Sequence, residues 1–260
     1  MPKSRFAKRG FFSLLVLLVA SIVLNILLYQ RWRNYCLDLN STRLDPLGLN
    51  SYSTEIPQHV GLDDKPLVVF FGDSRAADWT MPTEVTHVTF INRGIGAQTT
   101  AQALGRFPYH VLPLKAKMIV IQLGINDLRT IPLFPEQKGA IIAKCKANIK
   151  QIVELSIQYG AHVILTTIFP LGQVSVERRP FWSNDVAIAI NDVNQFIKSL
   201  QSDKVSILDT VKVLTNGEGI TDPVYSKDFL HLNEKGYEAL NRELVGCFVR
   251  DWSVTPPQRN

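Results

Sequence analysis

The chain has 260 residues, 28 Lys and Arg against 23 Asp and Glu, and 46% apolar side chains. That is length enough for one sizeable domain with an appendage. The formal charge of +5 sits at one end: residues 1–35 hold six cations and no acid, the rest carries 22 cations against 23 acids, and a nucleic-acid-binding body with its own basic patch is thereby disfavoured.

Lys3, Arg5, Lys8 and Arg9 make residues 1–10 a basic start. Residues 11–29 follow with no charge and a single Asn. As a helix they cover about 28 Å, close to the hydrocarbon thickness of a bilayer. Arg31 and Arg33 come after, so the cation excess lies on the N-terminal side. This predicts a transmembrane anchor with a cytoplasmic N-terminus and an exported, extracytoplasmic domain. The competing reading is a signal peptide whose cleavage releases a secreted domain. The apolar run is longer than such peptides use, and no small-residue pair follows it. Trp32 and Tyr35 suit a membrane interface. Cys36 is preceded by Asn34 and Tyr35, not by the small residues of a lipid-attachment site, and reads as an incidental thiol. Residues 30–65 read as a juxtamembrane linker: 37–65 show no clear periodicity and carry Pro46, Gly48, Pro57 and Gly61. Cys36, Cys145 and Cys247 form neither a C-x-x-C nor a zinc spacing, which predicts no disulfide framework.

Residues 66–252 alternate apolar strands with helical patterns. Leu67–Phe71, Val85–Ile91, Lys117–Leu123, His162–Ile168 and Val205–Leu208 read as strands. Helical patterns run over Thr99–Leu112, Glu136–Tyr159, Asn184–Leu200 and Glu234–Val249, with a short helix opening near Arg75. Strands spaced by such helices imply right-handed crossovers and an α/β domain with a five-stranded parallel sheet covered on both faces. Residues 253–260, with Pro256-Pro257, read as a loose tail.

The first strand runs into Gly72-Asp-Ser74. Taken alone, Ser74 could be an N-cap on an ordinary helix. The other strand ends change that weighting, because a parallel sheet brings them to one edge. The second ends near Gly94, the third at Gly124-Ile-Asn126-Asp127, and Asp228-Phe-Leu-His231 precedes the last helix. Ser74 fits a nucleophile and His231 its general base. Asp228, three residues before His231, can reach Nδ1 and fix the tautomer. The Ser74 and Gly94 N–H groups and the Asn126 amide fit an oxyanion hole. Asp73 and Asp127 suit structural roles in loops. Asp209 is a rival acid that lacks a nearby His, and His59, His87, His110 and His162 have no partner motif.

Gly72-Asp73-Ser74, Gly94, Gly124-x-Asn126-Asp127 and Asp228-x-x-His231, in this order over roughly residues 66–250, resemble the SGNH (GDSL) hydrolase family. The resemblance implies a flavodoxin-like three-layer α/β/α sandwich. It also implies ester hydrolysis by Ser74, His231 and Asp228, with Ser74, Gly94 and Asn126 as the oxyanion hole. Arg75 departs from the Leu common after the family serine, and Phe229 and Leu232 stand where Gly and Pro are frequent; these departures leave the catalytic groups intact. Gly72-x-Ser74-x-Ala76 also nearly matches the elbow of α/β-hydrolases, but the close Asp228/His231 pair argues against that fold.

The leading expectation is a membrane-anchored serine esterase acting on a small-molecule, glycan or lipid ester. No metal or cofactor is expected, because the sequence shows no ligand cluster and no phosphate loop. The alternatives are an O-acyltransferase working on envelope polysaccharide, or a non-catalytic binding module on the same fold. The stretch Leu171–Trp182, with Arg178-Arg179 and Phe181-Trp182, reads either as a loop over the crevice that selects an anionic or sugar-containing substrate or as an ordinary solvated loop.

Overall fold

The computed structural model describes residues 3–53, 65–176, 182–217 and 219–252. They fall into two compact units, residues 1–46 and 47–260.

The first unit is one helix, α1 (Lys3–Leu44). Within it Gly10–Leu44 holds an 18-residue stretch with a mean hydropathy of 2.8, so by length and composition this helix can cross a membrane. The helix does not stop at Tyr29, where the expected linker begins. Residues 30–44 contain neither Gly nor Pro, and the first breakers are Pro46 and Gly48. Asn40 donates to the Cys36 carbonyl, and Ser41 and Thr42 to that of Asp38, so even the polar side chains bond back along the helix. The expected linker therefore divides. Residues 30–44 are helical, 47–53 belong to the second unit, and 54–64 lie outside the described residues.

The second unit is built on five parallel strands: β1 (Leu67–Gly72), β2 (Thr89–Gly94), β3 (Met118–Gln122), β4 (His162–Thr166) and β5 (Val205–Leu208). Their order in the sheet is β2-β1-β3-β4-β5, the flavodoxin-like arrangement. The crossovers carry α3 (Thr100–His110), α5 (Lys138–Gln158) and α6 (Asn184–Ser199), and α8 (Glu234–Trp252) closes the chain. Short helices follow three strand ends: α2 (Ser74–Ala77), α4 (Ile125–Leu128) and α7 (Thr210–Leu214). The tail at 253–260 lies outside the described residues.

All six residues of β1 are buried, because the strand is covered on both faces. Val69 and Phe71 face a cluster with Phe107 of α3, Ile149 and Ile152 of α5 and Val193 of α6. Val68 and Phe70 face the opposite cluster, with Trp79 and with Tyr237, Leu240 and Leu244 of α8. The period-two alternation of a strand thus feeds two cores at once, and the three layers follow. Each core holds one cysteine outside any disulfide, Cys145 in the first and Cys247 in the second; the third, Cys36, is on α1.

The second strand lies later in the chain than its β-branched run suggests. Pairing with β1 sets its register at Leu67↔Thr89 through Gly72↔Gly94, so Val85–Val88 has no strand opposite it. Val85 and Val88 are nonetheless buried in the α8-side core, which explains their apolar character without a strand.

Phe70 packs edge-on against Trp79 at 5.3 Å and Phe90 at 6.0 Å. Phe70→Ala should cost about 3–5 kcal/mol, because the site is walled by a sheet and cannot collapse. Denaturant unfolding of the full chain measures it, and a loss below about 1 kcal/mol would show that this core repacks freely.

Candidate active site

The site begins with crowding at the end of β1. A Cβ on Gly72 would stand 1.9 Å from the Gln122 carbonyl oxygen and 2.8 Å from Ala76 Cβ. Only glycine lets β3 and α2 approach this closely. Asp73 then caps α2, its Oδ1 accepting the Arg75 N–H at 2.9 Å. Ser74 opens the helix and is half-buried.

Ser74 Oγ lies 3.0 Å from His231 Nε2. On the other side of the ring, His231 Nδ1 lies 2.9 Å from Asp228 Oδ2. The turn that carries both is wound around the Asp228 carboxylate, which also accepts the backbone N–H groups of Leu230 at 2.7 Å and His231 at 2.8 Å. Burial raises the Asp228 carboxyl, but the hydrogen bonds from the His231 ring and the two backbone donors together hold it below its ordinary value. It is therefore an anion facing Nδ1 at neutral pH. Asn233 steadies the turn from behind, donating to the Val224 and Ser226 carbonyls while its own Oδ1 accepts the Gly236 N–H at the start of α8.

Asn126, in α4, is buried, and its Nδ2 donates to the Gln98 carbonyl at 3.0 Å. An amide carries two such hydrogens, so one remains for another acceptor. Gly94 is placed differently from the expectation. It is buried, its N–H donates to Asn92 Oδ1 at 2.7 Å, and its carbonyl accepts from the Tyr52 hydroxyl. Its lack of a side chain serves packing instead, since a Cβ there would stand 2.2 Å from the Ala77 nitrogen. The exposed part of this loop is Gly96-Ala97. A Cβ on Gly96 would lie 3.9 Å from Ser74 Cβ, and Ala97 takes φ +61°, a left-handed conformation that favours glycine. No sequence signal marks an alanine for that role.

Arg75 was readable only as a departure from a pattern. Its side chain is fully buried, donates from Nε to the Leu230 carbonyl at 2.9 Å and from Nη1 to that of Phe169 at 3.2 Å, and covers the Phe169 ring. It thereby fastens the helix of Ser74 to the turn of His231. Burial lowers its pKa to about 10, with Asp73 opposing the shift, so it stays a cation.

The remaining candidates lie in structural settings. Asp127 Oδ2 accepts the Thr100 N–H at 2.8 Å, and its Oδ1 the Thr100 hydroxyl at 2.6 Å. Asp209 pairs with Lys198 at 2.7 Å. His110 Nε2 lies 3.2 Å from the Leu49 carbonyl oxygen. His59 lies outside the described residues, as do 177–181 with Arg178-Arg179 and Phe181. Trp182 packs edge-on against Phe229, 5.4 Å between centroids. Among the described residues no group of three or more His, Cys, Asp or Glu could hold a metal ion.

A flavodoxin-order sheet that brings a serine, an imidazole and a carboxylate into line at the carboxyl ends of its strands defines a class. The chain belongs to the GDSL-like lipase/acylhydrolase family, which its residues 56–239 match. It is similar to a GDSL-like lipase of Bacteroides thetaiotaomicron, with 23% identity, 80% of this chain and 97% of that one covered, and a TM-score of 0.60. A lipase/acylhydrolase of Enterococcus faecalis is similar at 22% identity, with 75% and 100% covered and a TM-score of 0.53. At these identities the likeness is one of fold. An uncharacterized lipoprotein of Bacillus subtilis, YqeF, is 31% identical over 121 residues, or 40% of this chain. That match spans about half the length of the relative, 49%.

Asp73 supplies a test of the electrostatics. It is wholly buried, and burial pushes its carboxyl from an ordinary 3.8 up to about 6, the Arg75 charge and N–H offsetting only part of the shift. The folded state therefore holds this proton more tightly than the unfolded chain. The group's contribution to stability is complete below about pH 4 and is lost as pH rises through about 6. Asp73→Asn removes this dependence. Denaturant unfolding across that range should show the difference between wild type and variant moving against wild type as pH rises. A constant difference would mean that Asp73 titrates alike in both states.

Proposed function

We propose that this protein is a membrane-anchored serine hydrolase that cleaves carboxylic esters through an acyl-enzyme. The observation that carries the reading is the line from Ser74 Oγ to His231 Nε2 at 3.0 Å and from Nδ1 to Asp228 at 2.9 Å. With Nδ1–H donated to the carboxylate, Nε2 is the lone-pair nitrogen and can accept the serine proton. Ser74 Oγ attacks the ester carbonyl carbon as Nε2 takes its proton. The tetrahedral intermediate then collapses, the C–O bond to the alcohol breaks, and the alcohol leaves with the proton from Nε2. Water repeats the sequence on the acyl-serine and releases the acid.

The negative charge of the intermediate is met by the Ser74 N–H, the second amide hydrogen of Asn126 and the Ala97 N–H. Ala97 replaces Gly94 in this role. The Gly94 N–H is already bonded to Asn92, while the Gly96-Ala97 turn is exposed beside Ser74 and leads into the carbonyl that holds Asn126. The anchor is residues 11–29 within α1, with the N-terminus in the cytoplasm and the catalytic unit outside. The run of uncharged residues and the cations before it support this reading.

Folded Ser74→Ala and His231→Ala should each lower kcat at least about 10³-fold, and the pair together little more, because the groups act as a unit. Asp228→Asn should cost less than either, since nucleophile and base remain. Ester turnover by the purified variants, with circular dichroism for the fold, decides; a Ser74→Ala protein that keeps more than about a tenth of the activity would sink the covalent mechanism. Asn126→Ala should lower kcat by about 10²–10³ with little change in KM, since it meets charge that exists mainly in the transition state. A change confined to KM would make Asn126 a substrate-binding group instead. Protease added outside intact spheroplasts should digest the catalytic unit. Protection there would reverse the assigned orientation.

A further inference from the structure

We propose that Leu47–Tyr52, the segment after α1 in the chain, is a clasp that positions the Gly94–Gln98 loop for ester hydrolysis, with Tyr52 and Gln98 as positioning residues; the proposal rests on the hydrolase reading above. The sequence gives this stretch no periodicity, and a linker would have no reason to make specific bonds. It makes them at both ends of one loop. At the first end, the Tyr52 hydroxyl donates to the Gly94 carbonyl. The Tyr52 ring lies against the Arg93 guanidinium at 4.6 Å and edge-on to His110 at 5.4 Å. Burial raises the Tyr52 pKa, the nearby Arg106 and Arg93 charges opposing, so the hydroxyl keeps its proton and remains a donor. At the second end, Gln98 Nε2 donates to the Leu47 carbonyl at 2.8 Å.

The segment is fitted rather than laid on. Gly48 takes φ +71°, and a Cβ there would stand 2.9 Å from Gln98 Nε2 and 3.1 Å from Ile95 Cδ1. A Cβ on Gly105 of α3 would stand 2.7 Å from Leu47 Cδ2. The loop so held is the one that passes Ser74 at Gly96 and accepts Asn126 Nδ2 at the Gln98 carbonyl. Arg106 completes the frame. Fully buried, it donates from Nε to Gln98 Oε1, from Nη1 to the Arg93 carbonyl at 2.8 Å and from Nη2 to the Gly72 carbonyl at 2.9 Å. The Gln98 side chain thus joins Leu47 on one side to the end of β1 on the other. Displacing Leu47–Tyr52 removes one bond from each end of the loop, at the Gly94 carbonyl and the Gln98 amide, and so loosens the carbonyl that holds Asn126. Such a shift is small in distance, but a misplacement of about 1 Å in catalytic donors costs up to about 10²-fold.

The test uses the full chain in detergent micelles, with circular dichroism to show that each variant is folded. Tyr52→Phe keeps the ring and deletes the donor to Gly94. Gly48→Ala drives a methyl group against the Gln98 amide without touching the site. Each should lower kcat by about 10- to 100-fold and leave KM within about twofold. On an Asn126→Ala background, Tyr52→Phe should cost at least about threefold less than on wild type, because the loop that Tyr52 holds also seats Asn126. Amide hydrogen exchange over residues 94–98 should quicken in both variants. If both keep kcat within about twofold of wild type, or if Tyr52→Phe costs as much without Asn126 as with it, the clasp is overturned. If the wild type hydrolyses no ester, the hydrolase reading fails by itself and exchange decides: quickened exchange upholds the clasp, and unchanged exchange overturns it.

Discussion

The site depends on the missing side chain at Gly72. Where β1 ends, the Gln122 backbone and the Ala76 Cβ of α2 approach Gly72 to distances that no Cβ tolerates. Gly94 repeats the condition on β2, against the Ala77 backbone. A four-residue helix has no stability of its own. Here it is sunk between two strand ends and tied there by Asn92, whose amide donates to the Ala76 carbonyl at 2.7 Å, by the Asp73 cap, and by the Tyr237 hydroxyl on the Arg75 carbonyl at 3.0 Å. Ser74 stands within reach of His231 because the helix beneath it has no room to move.

Charge is used in an unusual way around this point. Arg75 and Arg106 are wholly buried, and each gives its donors largely to main-chain carbonyls. Burial lowers both to about 10, which leaves them cationic at neutral pH. A guanidinium presents several N–H groups in a rigid plane, so one side chain can fix several loops that have no regular pairing. Arg75 binds the Leu230 and Phe169 carbonyls, Arg106 those of Arg93 and Gly72, and these four belong to the segments that converge on Ser74. The main chain of the site is thus held by two cations that do no chemistry.

This division sets what the sequence could reveal. The five strands were legible because continuous apolar runs leave few alternatives, and the β5 limits match the run Val205–Leu208. That Ser74, Asp228 and His231 come together was legible because a parallel sheet gathers its strand ends at one edge, and the structure brings the three into line. Val85–Ile91 was misplaced as a strand because burial in a core loop gives the same apolar pattern as burial in a sheet. A glycine that packs closely, as Gly94 does against Ala77, looks the same in sequence as one that offers a free N–H. The settings of Ala97 and Tyr52 leave no local trace in the sequence, and that of Arg75 leaves only a departure from a pattern. Each setting is fixed by backbone geometry or by a partner tens of residues away, and residue type alone does not encode that.

The two cores have a further consequence. Cys145 lies in the layer of α3, α5 and α6, and Cys247 in the layer of α8, and both are buried and outside any disulfide. A buried thiol reacts with a modifying reagent only when its surroundings open. Each face of the sheet therefore carries its own built-in reporter, on opposite sides of the strands that hold Ser74. The order in which the two thiols become reactive is a record of which layer detaches first when the domain comes apart.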